Sequence, residues 1–284
     1  MASSVRIVLQ EGEALLHGVD SPRLSAELLL AEVVGCSRLS LVVDYSRQLS
    51  SAECEQFRQL VSRRATGEPL AYIIGMKEFY GLDFQVTPDV LIPRPETEHI
   101  VEEIERLYDK DKPFHYADLG TGSGILAVTV AVLFPKATGV AADISRGALH
   151  VASSNAVRHD VANRLDFLLG DFTTRLFDEE VFDLILSNPP YVTEAEYDAA
   201  SHEVTGFEPV GALVSGVDGL DHVRAMLGHV LHALKPGGYF LMEIGCDQGR
   251  EVEKILTDQF PGFEPVVVKR DIAGLDRVLF ARKK

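Results

Sequence analysis

The stretch "ADLGTGSGILA", Ala117 to Ala127, decides how this chain is read. A short apolar run ends in Asp118. Gly120, Gly122 and Gly124 follow, with Thr121 and Ser123 between them, and a second apolar run extends from Ile125 to Phe134. Glycines in this setting let the backbone turn sharply from strand to helix and come close to a ligand. A dinucleotide loop of the form GxGxxG would carry its third glycine where this chain has Ile125. The pattern is GxGxG, which by itself is equally compatible with a purely structural turn.

The surroundings add weight. After Lys112 strands are predicted at His115–Leu119, Thr138–Ala142, Leu165–Leu169, Phe182–Ser187, Gly238–Ile244, Glu264–Lys269 and Arg277–Ala281. Helices are predicted at Ile125–Leu133, Arg146–Val157, Leu220–Leu234 and Arg250–Gln259. Such alternation implies a seven-stranded, mostly parallel, doubly wound sheet covered on both faces. The last strands follow one another too closely for a parallel crossover, so the final one should run antiparallel.

Ligands of open α/β sheets bind beyond the carboxyl ends of the strands. Acidic residues recur there. Asp143 closes "GVAADIS", and a carboxylate at that place accepts hydrogen bonds from ribose hydroxyls. Asp171 and Phe172 close "LLGDF", where the carboxylate suits an exocyclic amine and the ring suits the face of an adenine.

"FDLILSNPPYV" places Asn188, Pro189, Pro190 and Tyr191 just past the next strand. An amide nitrogen is a poor nucleophile because its lone pair is delocalised into the carbonyl. It reacts only when its N–H groups are held and the nitrogen faces the methyl donor. The Asn188 side-chain oxygen can accept one N–H and the Pro189 carbonyl the other, with the two prolines fixing where that carbonyl points. Tyr191 offers a flat face to a planar group. Positioning of this kind supplies up to about 7–11 kcal/mol of barrier lowering. No general base is needed beforehand, since the methylated nitrogen loses its proton readily. The tetrapeptide specifies a planar nitrogen acceptor and leaves glutamine amide and adenine N6 both open.

The first eighty residues read as helices. Ser21-Pro22 is a cap and first-turn proline, Ser50 and Glu53 have capping-box spacing, and Gly67 marks a stop. "LAYIIGMKEFYGLDFQV", Leu70 to Val86, has β-branched and aromatic runs broken by Gly75 and Gly81, which predicts a β-hairpin. In "LIPRPETEHIVEEI" a helix should start near Glu96. The expected division is 1–68, a helical substrate-docking domain; 69–95, a hairpin linker; and 96–284, the catalytic domain.

Lys plus Arg number 27 and Asp plus Glu 43, for a net charge of −16. Phosphate backbones are bound by clustered positive charge, so direct contact with nucleic acid is not expected. Residues 1–80 hold eight basic against ten acidic side chains, which disfavours a DNA-recognition domain there. The longest apolar run is too short to span a bilayer and no signal peptide is evident, so a cytoplasmic protein is expected. Three cysteines without a CxxC pair argue against a disulfide framework or cysteine zinc site. His222, His229 and His232 share one predicted helix but lack a metal-ligand spacing, so no metal is expected.

The order Asp118-x-Gly-x-Gly-x-Gly, Asp143, Asp171-Phe172 resembles the class I S-adenosylmethionine-dependent methyltransferases. "GEPLAYIIGMKEFYGLDFQVTPDVLIPRPETE", "SNPPYV", "FEPVGALVSGVDGLD" and "DIAGLDRVLFARK" extend the likeness over the whole chain, to the bacterial-type release-factor glutamine N5-methyltransferases. That resemblance implies S-adenosylmethionine as cofactor, class 1 peptide-chain release factors as partners, and the glutamine of their Gly-Gly-Gln motif as methyl acceptor. It implies cofactor contacts at Gly120 to Gly124, Asp143, Phe172 and Asn188, and substrate contacts from Asn188 to Tyr191. Family members often carry tryptophan where this chain has Phe172, and this chain has none. A monomer is expected.

Arg94 and Glu96 either line the cleft near the methionine end or tie the linker to the catalytic domain. Glu243 and Arg277 are expected to form a structural ion pair or network under the sheet edge, and "FEPVGAL" to shape the substrate mouth. An N6-adenine methyltransferase or a non-catalytic cofactor-binding scaffold is the alternative.

Overall fold

The computed structural model describes residues 3–284. The chain forms two compact units. The first runs to Met76 and also takes in Ser201–Phe207. It holds β1 (Ser3–Ser4), α1 (Val5–Leu15), α2 (Pro22–Val34), α3 (Arg38–Val43), β2 (Gln48–Leu49), α4 (Ser51–Ala65) and α5 (Leu70–Ile74). Its core joins Val5, Val8 and Leu9 of α1, Ala26, Leu29 and Leu30 of α2, and Phe57 and Val61 of α4, each set recurring at three- or four-residue steps. The Ser50–Glu53 capping box is formed, with Ser50 Oγ accepting from the Glu53 N–H and the Glu53 carboxylate from the Ser50 N–H. Ser21 does not cap α2 through its side chain: it sits at φ 50°, and the proline at the first helical position sets the start alone.

One boundary differs from the sequence expectation. Residues Leu70–Ile74, assigned above to the hairpin, form α5, closed by Gly75 in the left-handed region, whose N–H donates to the Ala71 carbonyl at 2.7 Å. Burial of Tyr72 and Ile73 overrides the β-branched, aromatic composition that suggests a strand. The hairpin itself is β3 (Met76–Phe79) with β4 (Leu82–Gln85).

The second unit is built on a seven-stranded sheet. Its strands are β5 (His115–Leu119), β6 (Thr138–Asp143), β7 (Leu165–Leu169), β8 (Phe182–Ser187), β9 (Leu234–Glu243), β10 (Phe263–Arg270) and β11 (Asp276–Lys283), in the order β10-β11-β9-β8-β5-β6-β7. Pairings from β9 through β7 are parallel, and β11 runs antiparallel to both β9 and β10, as the short connection required. The helices are α6 (Glu98–Leu107), α7 (Ile125–Leu133), α8 (Arg146–Arg158), α9 (Glu194–Ala199), α11 (Asp221–Ala233) and α12 (Gly249–Gln259); α10 (His202–Thr205) falls in the returning segment of the first unit. A single 3-10 turn, Pro95–Thr97, precedes α6, so the helix begins two residues after Glu96.

From Leu184 onward, alternate residues of β8 serve opposite faces. Leu184 and Leu186 join Ile100, Ile104, Leu126 and Val130 of α6 and α7. Ile185 joins Val223, Leu227, Val252 and Leu256 of α11 and α12, as does Phe182, which precedes a register irregularity in the strand. Each fully buried side chain of this size contributes about 1.5–3 kcal/mol, which holds the strands in register and fixes where their carboxyl ends stop. Those ends carry the site.

Candidate active site

The loop after β5 is fastened to the end of β6. Gly120 and Thr121 donate their N–H groups to the Ala142 carbonyl at 2.9 and 3.0 Å. Asp143 Oδ2 accepts the Gly122 N–H at 2.9 Å, and its Oδ1 accepts the Ser145 N–H at 2.8 Å. Gly124 stands at φ 83°, and a Cβ there would lie 3.0 Å from the Ala152 Cβ, so both backbone and space demand glycine. Asp118 is buried beneath the loop, where its Oδ2 accepts from Thr121 Oγ1 at 2.6 Å and the Ala127 N–H at 3.1 Å. Burial raises its pKa to about 6, with those two hydrogen bonds opposing the rise. Burial also pushes Asp143 upward, against three backbone N–H donors.

Above the loop lies a cleft of about 230 Å³. It brings together Asp118, Gly120, Thr121, Gly122, Ser123, Asp143, Phe172, Asn188, Pro190 and Arg94. Gly124, Asp171, Pro189, Tyr191 and Glu96 are not among the residues that line it. Asp171 is engaged in its own turn, its Oδ1 accepting from the Thr173 N–H at 2.8 Å and from Thr173 Oγ1 at 2.6 Å. Phe172 leans over Gly120 and sits 5.8 Å from the His222 ring.

Arg94 both lines the cleft and donates to Glu208 Oε1 at 2.6 Å, while Glu208 Oε2 accepts the Ile92 N–H at 3.1 Å. The "FEPVGAL" segment is split: Pro209, Gly211 and Ala212 line the cleft, whereas Phe207 belongs to the first unit beside His202. His222 bonds Ser215 Oγ at 2.8 Å and His232 meets Arg175 and the Asp178 carbonyl, so these histidines diverge.

Asn188 leaves β8 with its Nδ2 donating to Thr97 Oγ1 at 3.0 Å. Tyr191 Oη donates to Glu243 Oε1 at 2.9 Å, and the Tyr191 carbonyl accepts from Gln248 Nε2 at 2.9 Å. Burial and the Glu243 charge drive the Tyr191 phenol far above its ordinary range. Glu243 and Arg277 do not bond directly: Arg277 Nη2 bridges Asp271 Oδ2 at 3.1 Å, and Glu243 takes the Tyr191 hydroxyl. The two charges still act on one another, so they belong to a network rather than a pair.

Residues not singled out from the sequence complete the walls. Ile144 lines the cleft while 70% exposed, an apolar side chain directly after a strand-end acid, which is a readable signal. The segment Asp89 to Ile92 also lines it. Thr97 touches Asn188 although 91 residues separate them, and nothing in the sequence announces that contact.

A glycine-loop cleft at the carboxyl ends of this seven-stranded sheet defines the class I S-adenosylmethionine-dependent methyltransferase fold. The family profile of the PrmC N-terminal domain matches residues 8–75, and that of the methyltransferase small domain matches 98–205. The release factor glutamine methyltransferase of Nitratidesulfovibrio vulgaris is 49% identical over 266 residues, covering 93% of this chain and 90% of its own. That of Koribacter versatilis is 42% identical over 263 residues, covering 93% and 92%. The chain belongs to the release factor glutamine methyltransferase family. Among solved structures, a methyltransferase from Pyrococcus furiosus matches 80% of this chain and 98% of its own with a TM-score of 0.53 at 17% identity, a likeness of fold.

Proposed function

We propose that this chain methylates the side-chain amide nitrogen of the glutamine in the Gly-Gly-Gln motif of class 1 peptide-chain release factors. The observation that carries the reading is the sharing of one cleft by the glycine loop, Asp143 and Asn188, in a chain of this family. The donor set fits S-adenosylmethionine. Asp143 still has acceptor capacity for ribose hydroxyls, and Phe172 and Ile144 present flat and apolar surface to adenine. Bare backbone at Gly120 to Ser123 lets the cofactor approach. S-adenosylmethionine supplies a methyl group on a positively charged sulfur and leaves as the thioether S-adenosylhomocysteine.

The protein's own part is placement. With Nδ2 committed to Thr97, the Asn188 amide has its oxygen free to accept one N–H of the incoming glutamine. The other N–H is assigned to the Pro189 carbonyl and the face of the amide plane to Tyr191, two residues that flank the cleft lining rather than form it. Held this way, the nitrogen faces the methyl group, forms the new C–N bond and gives up one proton. The first unit holds the release factor. Among the described residues no helix is long and apolar enough to cross a membrane. With release factors as substrate, the reaction belongs in the cytoplasm, and the enzyme acts there as a monomer.

The test is methyl transfer from labelled S-adenosylmethionine to a purified release factor, beside a copy with the Gly-Gly-Gln glutamine replaced. Label on the intact protein alone is expected. Label on both would move the acceptor elsewhere, and label on neither would direct attention to adenine acceptors or a scaffold role.

A further inference from the structure

Behind the cleft, two residues of the Asn188–Tyr191 segment converge on one buried carboxylate. Glu243 ends β9, where its neighbour Met242 pairs with Ser187, so it stands level with the exit of β8 toward Asn188. Its side chain is fully buried. Oε1 takes the Tyr191 hydroxyl at 2.9 Å, and Oε2 is buried without a hydrogen-bond partner. Thr97, also fully buried, accepts from Asn188 Nδ2 at 3.0 Å. Burial raises the Glu243 pKa, and the Thr97 hydroxyl, the Tyr191 hydroxyl and the Arg277 charge are what oppose that rise.

We infer that Glu243 is a positioning residue for methyl transfer, acting through the Thr97 hydroxyl to fix which end of the Asn188 amide faces the cleft. A threonine hydroxyl has one proton and two lone pairs. An unsatisfied carboxylate oxygen beside it draws that proton, which leaves Thr97 only a lone pair to offer. Asn188 can then approach Thr97 with its NH2 group alone, and the amide oxygen is turned toward the glutamine N–H. Without the carboxylate, the hydroxyl could equally donate to the Asn188 oxygen, and the amide would be free to flip. A flipped amide presents NH2 to the substrate's NH2, where no hydrogen bond forms. The same side chain anchors Tyr191, so one buried carboxyl group sets both ends of the tetrapeptide.

This inference rests on the glutamine reading, and its test includes a readout independent of any acceptor. Thr97→Val should lower kcat at least about tenfold while cofactor affinity and KM stay within about twofold, and Thr97→Ser should restore kcat to within about twofold. Glu243→Gln should lower kcat similarly, and the Thr97→Val/Glu243→Gln pair should fall less than the product of the two single losses. Additive losses, or an unchanged kcat in Thr97→Val, would overturn the proposal. In parallel, the Asn188 side-chain NH2 resonances, assigned by their loss in Asn188→Ala, should show one proton slow to exchange in the unsubstituted protein and none in Thr97→Val. Equal exchange in both proteins would also overturn it. Slow exchange in a protein that methylates no release factor would uphold the positioning network and count against the glutamine acceptor instead.

Discussion

Asp143, at the end of β6, holds the Gly122 N–H of the loop that follows β5, at 2.9 Å. One carboxylate thus fastens the glycine loop and forms the cleft wall to which the ribose of the cofactor is assigned. Asp143→Ala should therefore weaken cofactor binding before it affects anything else. Loss of hydrogen bonds to a charged group costs about 1.5–3 kcal/mol, or roughly 10- to 150-fold in affinity. Calorimetric titration with S-adenosylmethionine checks this, and a normal dissociation constant would remove Asp143 from the site.

Asn188→Ala should behave differently. Cofactor affinity stays within a fewfold, while the single-turnover transfer rate drops by about 10²–10³, as for other positioned groups that act at the reacting centre. Unchanged turnover would rule out its assigned contact with the substrate amide.

Phe172 is the ring assigned to adenine, at the place where the family resemblance leads one to expect tryptophan. Stacking of a base on an aromatic ring is worth about 1–3 kcal/mol. Phe172→Ala should weaken cofactor binding by roughly fivefold or more, and Phe172→Trp should bind at least as well as the parent. Equal affinity of all three would show that adenine does not use this ring.

Asp118 carries a pH signature in stability. Its pKa is raised in the folded protein to about 6, from a model-peptide value near 3.8. A raised carboxyl pKa means that the folded state prefers the protonated form. The contribution is most favourable below about pH 4 and is lost as pH rises to about 6. That difference amounts to on the order of 3 kcal/mol. Asp118→Asn cannot ionise, so its stability relative to the parent should rise between pH 4 and pH 6 and level off above. Urea unfolding across that range would show a flat difference if burial did not perturb the group.

Gly124→Ala tests the loop itself. A side chain at φ 83° costs about 1–2 kcal/mol before the close approach to Ala152 is counted. A loss of stability of at least that size is expected in thermal or denaturant unfolding, and none would mean that the loop relaxes freely.

Much of the sheet was legible because its apolar runs end abruptly. Strands His115–Leu119 and Leu165–Leu169, each followed by glycine, and strand Phe182–Ser187 and helix Ile125–Leu133, each followed by proline at the second residue, have the bounds read from the sequence. Leu70–Ile74 was misread because its composition favours a strand while burial of Tyr72 and Ile73 makes it a helix. At the site, glycine spacing and the acids Asp118 and Asp143 pointed to the cleft, since both are local signals, whereas Asp171 is taken up by its own turn. Glu243 was noticed but given Arg277 as its partner, a choice that side-chain geometry alone decides. Thr97 could not have been found at all, because only the sheet order brings residue 97 beside residues 188 and 243.

The first unit is discontinuous along the chain. Arg64, buried on α4, donates through Nη2 to Glu203 at 2.9 Å, and a Cβ at Gly67 would lie 3.0 Å from the His202 ring. Both partners come from a segment made more than 130 residues later. During synthesis, which delivers about 5–20 residues each second, the helices up to Met76 emerge and wait several seconds for that segment. Until it arrives, the Arg64 guanidinium has the Glu68 carbonyl but lacks its carboxylate. The amino-terminal part is consequently not a module that a ribosome can finish first, and a nascent chain gains its complete form only after β8 has been translated.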